Sequence, residues 1–139
     1  MKLPMPRTDS EFSVEQAVLT RRTVRSFSTE ALSASQLSQI LWAAQGVTEE
    51  GTMLRAVPSA GALYPTELYT ALGEGTVEGL DKGIYRYLPE SHEVEKTDDR
   101  DVRNDLARAS LSQMWMARAP VSIVICSEYS RVSVKYGQR

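Results

Sequence analysis

Residues 32–46, "LSASQLSQILWAAQG", carry start and stop signals for one short helix, and that helix constrains the rest of the chain. Ser33 and Gln36 have capping-box spacing, and Leu32 and Leu37 have the spacing of a hydrophobic staple. Leu37, Ile40, Leu41 and Ala44 then recur on one face, and Gly46 supplies a stop. A helix of this length is marginal alone in water and holds only if its apolar stripe is buried against another layer. The remaining segments must supply that layer.

Several of them read as strands. "ELYTALG" at 67–73 has strand character, and "GIYRYLPE" with "HEVEKT" reads as a hairpin turning at Pro89 and Ser91. "APVSIVICSEY" at 119–129 is an apolar run of the kind covered on both faces. Helical signals lie between and around these. Ser13 and Gln16 form a second capping box ahead of a stripe of Val14, Ala17 and Val18. "DDRDVRNDLARASL" predicts a helix capped by Asp98 or Asp99, with Val102, Leu106 and Ala109 on one side. The terminal "YSRVSVKYGQR" turns helical near Val132 and ends with no cap. Helices, strands, helix and strand in this order predict an α+β layered fold, and 139 residues suit one domain spanning residues 1–139.

Composition narrows the chemistry. Sixteen basic against 18 acidic residues give a net charge of −2, so no general basic field argues for nucleic acid or anionic membrane. No apolar run approaches the ~18 residues of a membrane span. Residues 1–10 lack the apolar core of a signal peptide, and a cytoplasmic protein is expected. One cysteine and one histidine exclude a disulfide framework and paired-ligand metal spacing. Cys126, inside the apolar run, is expected to be core packing. His92, between two strand-like segments, is expected to be a solvated hairpin residue. Trp115, flanked by Met114 and Met116, is expected to pack in the core. An enzyme built on this sequence would take its hard chemistry from a bound cofactor.

Two segments stand out as candidate binding elements. Arg21, Arg22 and Arg25, with Thr23 among them, follow the first helix and run into the β-prone "TVRSF". Arginines at a helix C-terminus can simply complement its dipole. They can equally form an anion site, because guanidinium groups match phosphate geometry and Thr23 adds a hydroxyl donor. No G-x-G-x-x-G or P-loop accompanies them, so a mononucleotide phosphate suits the cluster better than a dinucleotide. The second segment is "VPSAGALYP" at 57–65. Prolines at both ends and small residues between them suit an ordinary loop, or one whose backbone a flat group approaches closely.

"RRTVRSF" at 21–27, "PSAGALYPTELY" at 58–69 and "YGQR" at 136–139, in this order, resemble the FMN-dependent nitroreductase family. Within it the chain is most similar to the SagB-type dehydrogenase subgroup. "LSQILWAAQG" and "GIYRYLPESHEVE" are similar too. The resemblance implies a nitroreductase-like layered fold with a mixed sheet flanked by helices, in an intertwined homodimer with FMN at the interface. It implies that Arg21, Arg22 and Thr23 hold the phosphate and ribityl chain, with Arg25 nearer the pyrimidine edge. Pro58, Ser59, Ala60, Gly61 and Tyr64 would lie on the loop that the partner subunit lays against the flavin. The implied activity is ping-pong hydride transfer through flavin N5, serving either NAD(P)H-dependent reduction or oxidation of azoline rings in a peptide. For the latter, Lys135 and Tyr136 are the candidate proton-removing pair. The resemblance covers only the N-terminal two-thirds of a subunit, so a fold incomplete at its C-terminus is expected. The competing expectation is a binding or assembly module that pairs with a chain carrying the missing segment.

Overall fold

The computed structural model describes residues 1–49 and 51–137. Its helices are α1 (Val14–Thr20), α2 (Ala34–Gln45), α3 (Arg103–Ala109) and α4 (Tyr129–Tyr136). Its strands are β1 (Thr66–Leu72), β2 (Gly83–Leu88), β3 (Glu93–Asp98) and β4 (Val121–Ser127). The α+β class is as expected. The strands lie in the order β3-β2-β1-β4, and every described ladder is antiparallel, where the resemblance implied a mixed sheet. Among the described residues, no helix is long and apolar enough to cross a membrane.

Both predicted capping boxes form, with reciprocal bonds between Ser13 and Gln16 and between Ser33 and Gln36. Leu37 and Leu41 of α2 are buried, in one core cluster with Leu68, Leu72, Tyr85, Tyr87 and Val94 of the sheet. The buried line on α2 runs through Leu37, Ser38, Leu41 and Gln45, so Ile40, expected in the stripe, is exposed. Four-residue spacing along one helix face explains this line, with Ser38 and Gln45 carried inward beside the leucines. The N-terminus completes the sheet edge. Lys2 pairs antiparallel with Glu93, and the Met1 amino group donates to the Val94 carbonyl at 2.6 Å.

His92 is not the solvated hairpin residue that its neighbours suggested. It stands at positive φ in the β2–β3 turn, within hydrogen-bond distance of Ser38 Oγ (2.8 Å), Tyr87 Oη (2.8 Å) and the Pro4 carbonyl (3.0 Å). The neutral ring with its proton on Nε2 satisfies the whole set. Nε2–H points to Ser38 and Pro4, the Ser38 hydroxyl donates to Pro4 (2.6 Å), and the Tyr87 hydroxyl donates to Nδ1. Burial pushes the Tyr87 phenol up to about 12, so it remains the donor. One imidazole therefore ties α2, the hairpin and the N-terminal segment together.

Five further expectations are corrected. β4 is the outer strand beside β1 among the described residues, and Ile123, Ile125 and Cys126 are exposed rather than covered, because little packs on its faces. The α1 stripe is exposed as well, and no residue of that helix is buried. α3 begins after Val102, not at Asp98 or Asp99. Asp98 is drawn to Arg100, whose hydrogen bonds hold its carboxyl at about 2, while Asp101 accepts from the Arg103 backbone N–H. α4 starts at Tyr129 rather than near Val132, with Glu128 as its N-cap accepting from the Ser130 N–H, and its C-terminal end is capped by Gly137, whose N–H donates to the Ser133 carbonyl; the segment "TVRSF" is irregular rather than a strand.

The hub at His92 should dominate the local stability of this region. Tyr87→Phe leaves Nδ1 of the half-buried ring without a donor and should lower stability by about 1–3 kcal/mol. Tyr129→Phe, at an exposed tyrosine, should stay within about 0.5 kcal/mol of the parent. Urea midpoints measure both, and equal midpoints for the two variants would remove the hub from the account.

Candidate functional site

The loop at 58–64 is built on its own hydrogen bonds. Ser59 Oγ accepts from the Tyr64 N–H at 3.0 Å, and the Ser59 carbonyl accepts from the Ala62 N–H at 3.0 Å. These bonds close a tight turn over Ala60–Ala62. Gly61 stands at φ 63°, and Ala62 and Tyr64 also have positive φ, at 53° and 42°. A side-chain-bearing residue there costs about 1–2 kcal/mol, so the surroundings must hold it. Tyr64 provides much of that hold. Its side chain is buried, its hydroxyl accepts from the Arg55 backbone N–H at 3.3 Å, and the Arg55 guanidinium lies 4.8 Å from its ring centroid.

A charge network brings α4 to the same place. Glu67, on β1 directly after the loop, pairs with Arg86 of β2 at 2.8 Å and with Arg131 of α4. Arg131 also donates to the Tyr64 carbonyl at 2.9 Å. Burial alone would raise the Glu67 carboxyl. The hydrogen bonds from Arg86 and Arg131 outweigh it and hold the group below its ordinary value. With Arg131 fixed, the next turn of α4 sets Lys135 and Tyr136 against the bare backbone of Gly61. A Cβ added to Gly61 would stand 2.6 Å from Lys135 Nζ and 2.9 Å from the Tyr136 hydroxyl. The Lys135 ammonium lies 5.7 Å from the Tyr136 ring centroid. Two sets of candidates, far apart in sequence, meet at one glycine.

The arginine segment is a separate surface. Arg22 donates to the Leu19 and Arg21 carbonyls at 2.9 and 2.8 Å, the helix-end role that competes with anion binding. Arg21, Thr23 and Arg25 are exposed, and among the described residues their side chains have no hydrogen-bond partner. The Arg25 guanidinium lies 5.5 Å from the ring centroid of Trp115, which itself stacks on Phe27 at 6.3 Å. Trp115 is thus half-buried and orients a cation, where core packing was expected. Among the described residues no hydrogen bond joins this segment to 58–64. Of "YGQR", Gln138 and Arg139 lie outside the described residues. Among the described residues no group of three His, Cys, Asp or Glu side chains is placed to hold a metal ion.

Glu67, Arg131 and Trp115 were missed as site-forming residues. A charged residue opening an otherwise apolar strand was the one local signal for Glu67. Its partners lie 19 and 64 residues away, and no spacing rule reaches them.

Comparison with known proteins gives a consistent picture. The model of the nitroreductase family matches residues 18–139. The nitroreductase-type protein MJ1384 of Methanocaldococcus jannaschii is 39% identical over 139 residues, covering all of this chain and 68% of the relative. The crystal structure of a nitroreductase-type protein from Ralstonia eutropha superposes with a TM-score of 0.79 at 28% identity, over 96% of this chain and 58% of that one. A chain of the Escherichia coli microcin synthetase McbBCD complex, with truncated pro-MccB17 bound, shares the fold at a TM-score of 0.59 and 22% identity, over 100% of this chain and 56% of that one.

The Glu67 network predicts an acid-sensitive fold. Because the folded carboxyl is held below its ordinary 4.5, its contribution is fully present above that value and is lost as pH falls through the folded value. Glu67→Gln should therefore lower stability at neutral pH, by about 1.5–3 kcal/mol for each charged hydrogen bond that is lost. The gap from the parent should close as the pH is taken well below 4.5. Denaturant titrations at a series of pH values measure it, and a gap independent of pH would contradict the network.

Proposed function

The chain belongs to the nitroreductase family, and from that premise we propose that it is an FMN-dependent oxidoreductase acting as a single-domain subunit of a homodimer. Gly61 carries the proposal. Its missing Cβ lets Lys135 Nζ and the Tyr136 hydroxyl close against the turn, where any added Cβ would meet them. Two proton-carrying groups are thereby fixed at the loop that would present its backbone to a flat ring.

The donor set suits the cofactor. Arg21 and Thr23, uncommitted to other protein groups, offer charged and neutral donors to a terminal phosphate and a ribityl chain. Arg25, steadied by Trp115, would put positive charge at the pyrimidine edge, where a reduced flavin gathers negative charge. Arg22 serves the helix end first. Pro58, Ser59, Ala60 and Gly61 would present backbone to the ring, while Tyr64 acts from below by holding the loop's shape. Bound FMN supplies the hydride chemistry at N5, in a ping-pong cycle with NAD(P)H or a second substrate.

The separation of the arginine segment from the 58–64 loop favours two subunits, one giving each half. Exposed Val14, Val18 and Leu19 on α1 and Ile123 and Ile125 on β4 give that pairing apolar surface. A SagB-type oxidation of azoline rings in a peptide is the second reading. It is favoured by the Lys135–Tyr136 pair, which could take a proton from substrate at the Gly61 backbone, and by the peptide-bearing microcin synthetase complex among the fold neighbours.

Flavin titration tests the assignment. Arg21→Ala and Arg25→Ala should each weaken FMN binding about ten- to a hundredfold, the range for losing one hydrogen bond to a charged group. Arg108→Ala, at an exposed arginine paired only with Asp105, should leave it unchanged. Arg103 is unsuitable as a control, since it holds Asp101 and the Ala119 carbonyl and packs on Gly73. Equal affinities in all three variants, or FAD as the sole ligand released on denaturation, would overturn the proposal.

A further inference from the structure

Behind the 58–64 loop, between the end of α2, the β2–β3 turn and α4, lies a cavity of about 130 Å³. This far exceeds the ~10–15 Å³ that one water requires. Its walls include Gln45, Arg55, Glu67, Arg86, Glu90 and Arg131. Two of these present fully buried polar atoms with no hydrogen-bond partner, Gln45 Oε1 and Arg55 Nε. The Arg55 side chain is only 7% exposed and Gln45 only 5%. Buried polar groups are nearly always paired, and a charged N–H is among the most costly to leave bare.

The charges in the wall identify what would pair them. Glu67 is committed to Arg86 and Arg131. Glu90 stands half-exposed and takes one terminal nitrogen of Arg55 at 2.7 Å. Three guanidinium groups and two carboxylates leave an excess of one positive charge, and the free Nε edge of Arg55 belongs to that excess. The Gln45 carboxamide lies on a soft terminal torsion, and half a turn exchanges Oε1 for Nε2. Two donors then border the same cavity. Water could satisfy each donor but would leave the positive charge, whereas a monovalent anion with two acceptor oxygens meets both requirements.

We propose that this cavity is a binding site for a small monovalent carboxylate or oxyanion, held between Arg55 Nε and the Gln45 carboxamide. It is distinct from the flavin site and stands or falls without it. Its occupant would also affect the loop. The Arg55 guanidinium stacks on Tyr64 and Arg131 donates to the Tyr64 carbonyl, so an anion that fixes Arg55 stiffens the turn carrying Gly61.

Thermal unfolding of the full chain against increasing formate, acetate, nitrate or bicarbonate tests this, with chloride at equal ionic strength as the baseline. Formate and acetate report on carboxylates, and nitrate and bicarbonate on inorganic oxyanions. A saturable rise in Tm beyond chloride is expected from at least one pair. Gln45→Glu places a carboxylate beside Arg55 within the chain, so its Tm should match or exceed the parent's without added anion, and the response should vanish. Calorimetric titration of the unmodified protein with formate, acetate, nitrate and bicarbonate in turn gives an independent readout that needs no variant, and saturable heat from at least one is expected. No saturable Tm rise or heat beyond chloride from any of the four means that only water fills the cavity, and the proposal fails. An undiminished response in Gln45→Glu would put the anion elsewhere, such as the exposed arginine segment, and would overturn it equally.

Discussion

One carboxylate determines where the candidate site lies. Glu67 accepts from Arg86 within the sheet and from Arg131 across to α4, and the same Arg131 donates to the carbonyl of Tyr64. Breaking such a partly buried network strands a charge, which is far more costly than the network is stabilising in total. The geometric effect matters more than the energy. β1, the loop before it and α4 share a single set of charged hydrogen bonds, so Lys135 and Tyr136 cannot shift without moving Gly61's neighbours. Pre-organisation of this kind is what a site must have before any ligand arrives.

Polar anchoring recurs at the β2–β3 turn, where His92 joins α2, the hairpin and the N-terminal segment through Ser38, Tyr87 and Pro4. Beside these anchors lies the apolar cluster of α2 on the sheet. The elements outside this sandwich behave differently. α1 contributes no buried residue, and β4 leaves Ile125 73% exposed. The well-packed half of the structure positions the loop, and the open half carries the arginine segment and the apolar surface.

What was legible in the sequence follows from the range of the forces involved. Capping boxes act over three residues, so Ser13 and Ser33 were readable from spacing alone, and both form. The turn chemistry of 58–64 was readable for the same reason, since Ser59 bonds its own loop and Gly61 takes the left-handed conformation. An apolar run predicts a strand but not its neighbours. "VSIVICS" was rightly a strand, but whether another layer covers its faces is not written in the run itself, and Cys126 is exposed. His92 was misread because its three partners come from residues 4, 38 and 87, two of them distant contacts that only the folded chain creates. The start of α3 was misplaced because Asp98, Asp99 and Asp101 compete for one cap, and Arg100 draws Asp98 away.

The arginines show how a near-neutral composition conceals local function. Most of those with visible partners are structural. Arg22 closes a helix end, Arg55 and Arg131 hold the loop, Arg86 and Arg131 bracket Glu67, and Arg103 ties the start of α3 to Ala119, two residues before β4. Arg21 and Arg25 are not used in this way. They sit on an irregular exposed segment, and among the described residues Arg25 is positioned by the face of Trp115, which fixes a guanidinium while leaving its N–H donors unspent. A surface cation held by an aromatic plane keeps its direction yet remains available to a ligand. That combination sets Arg25 apart from the arginines committed to ion pairs, where net charge and spacing treat them all alike.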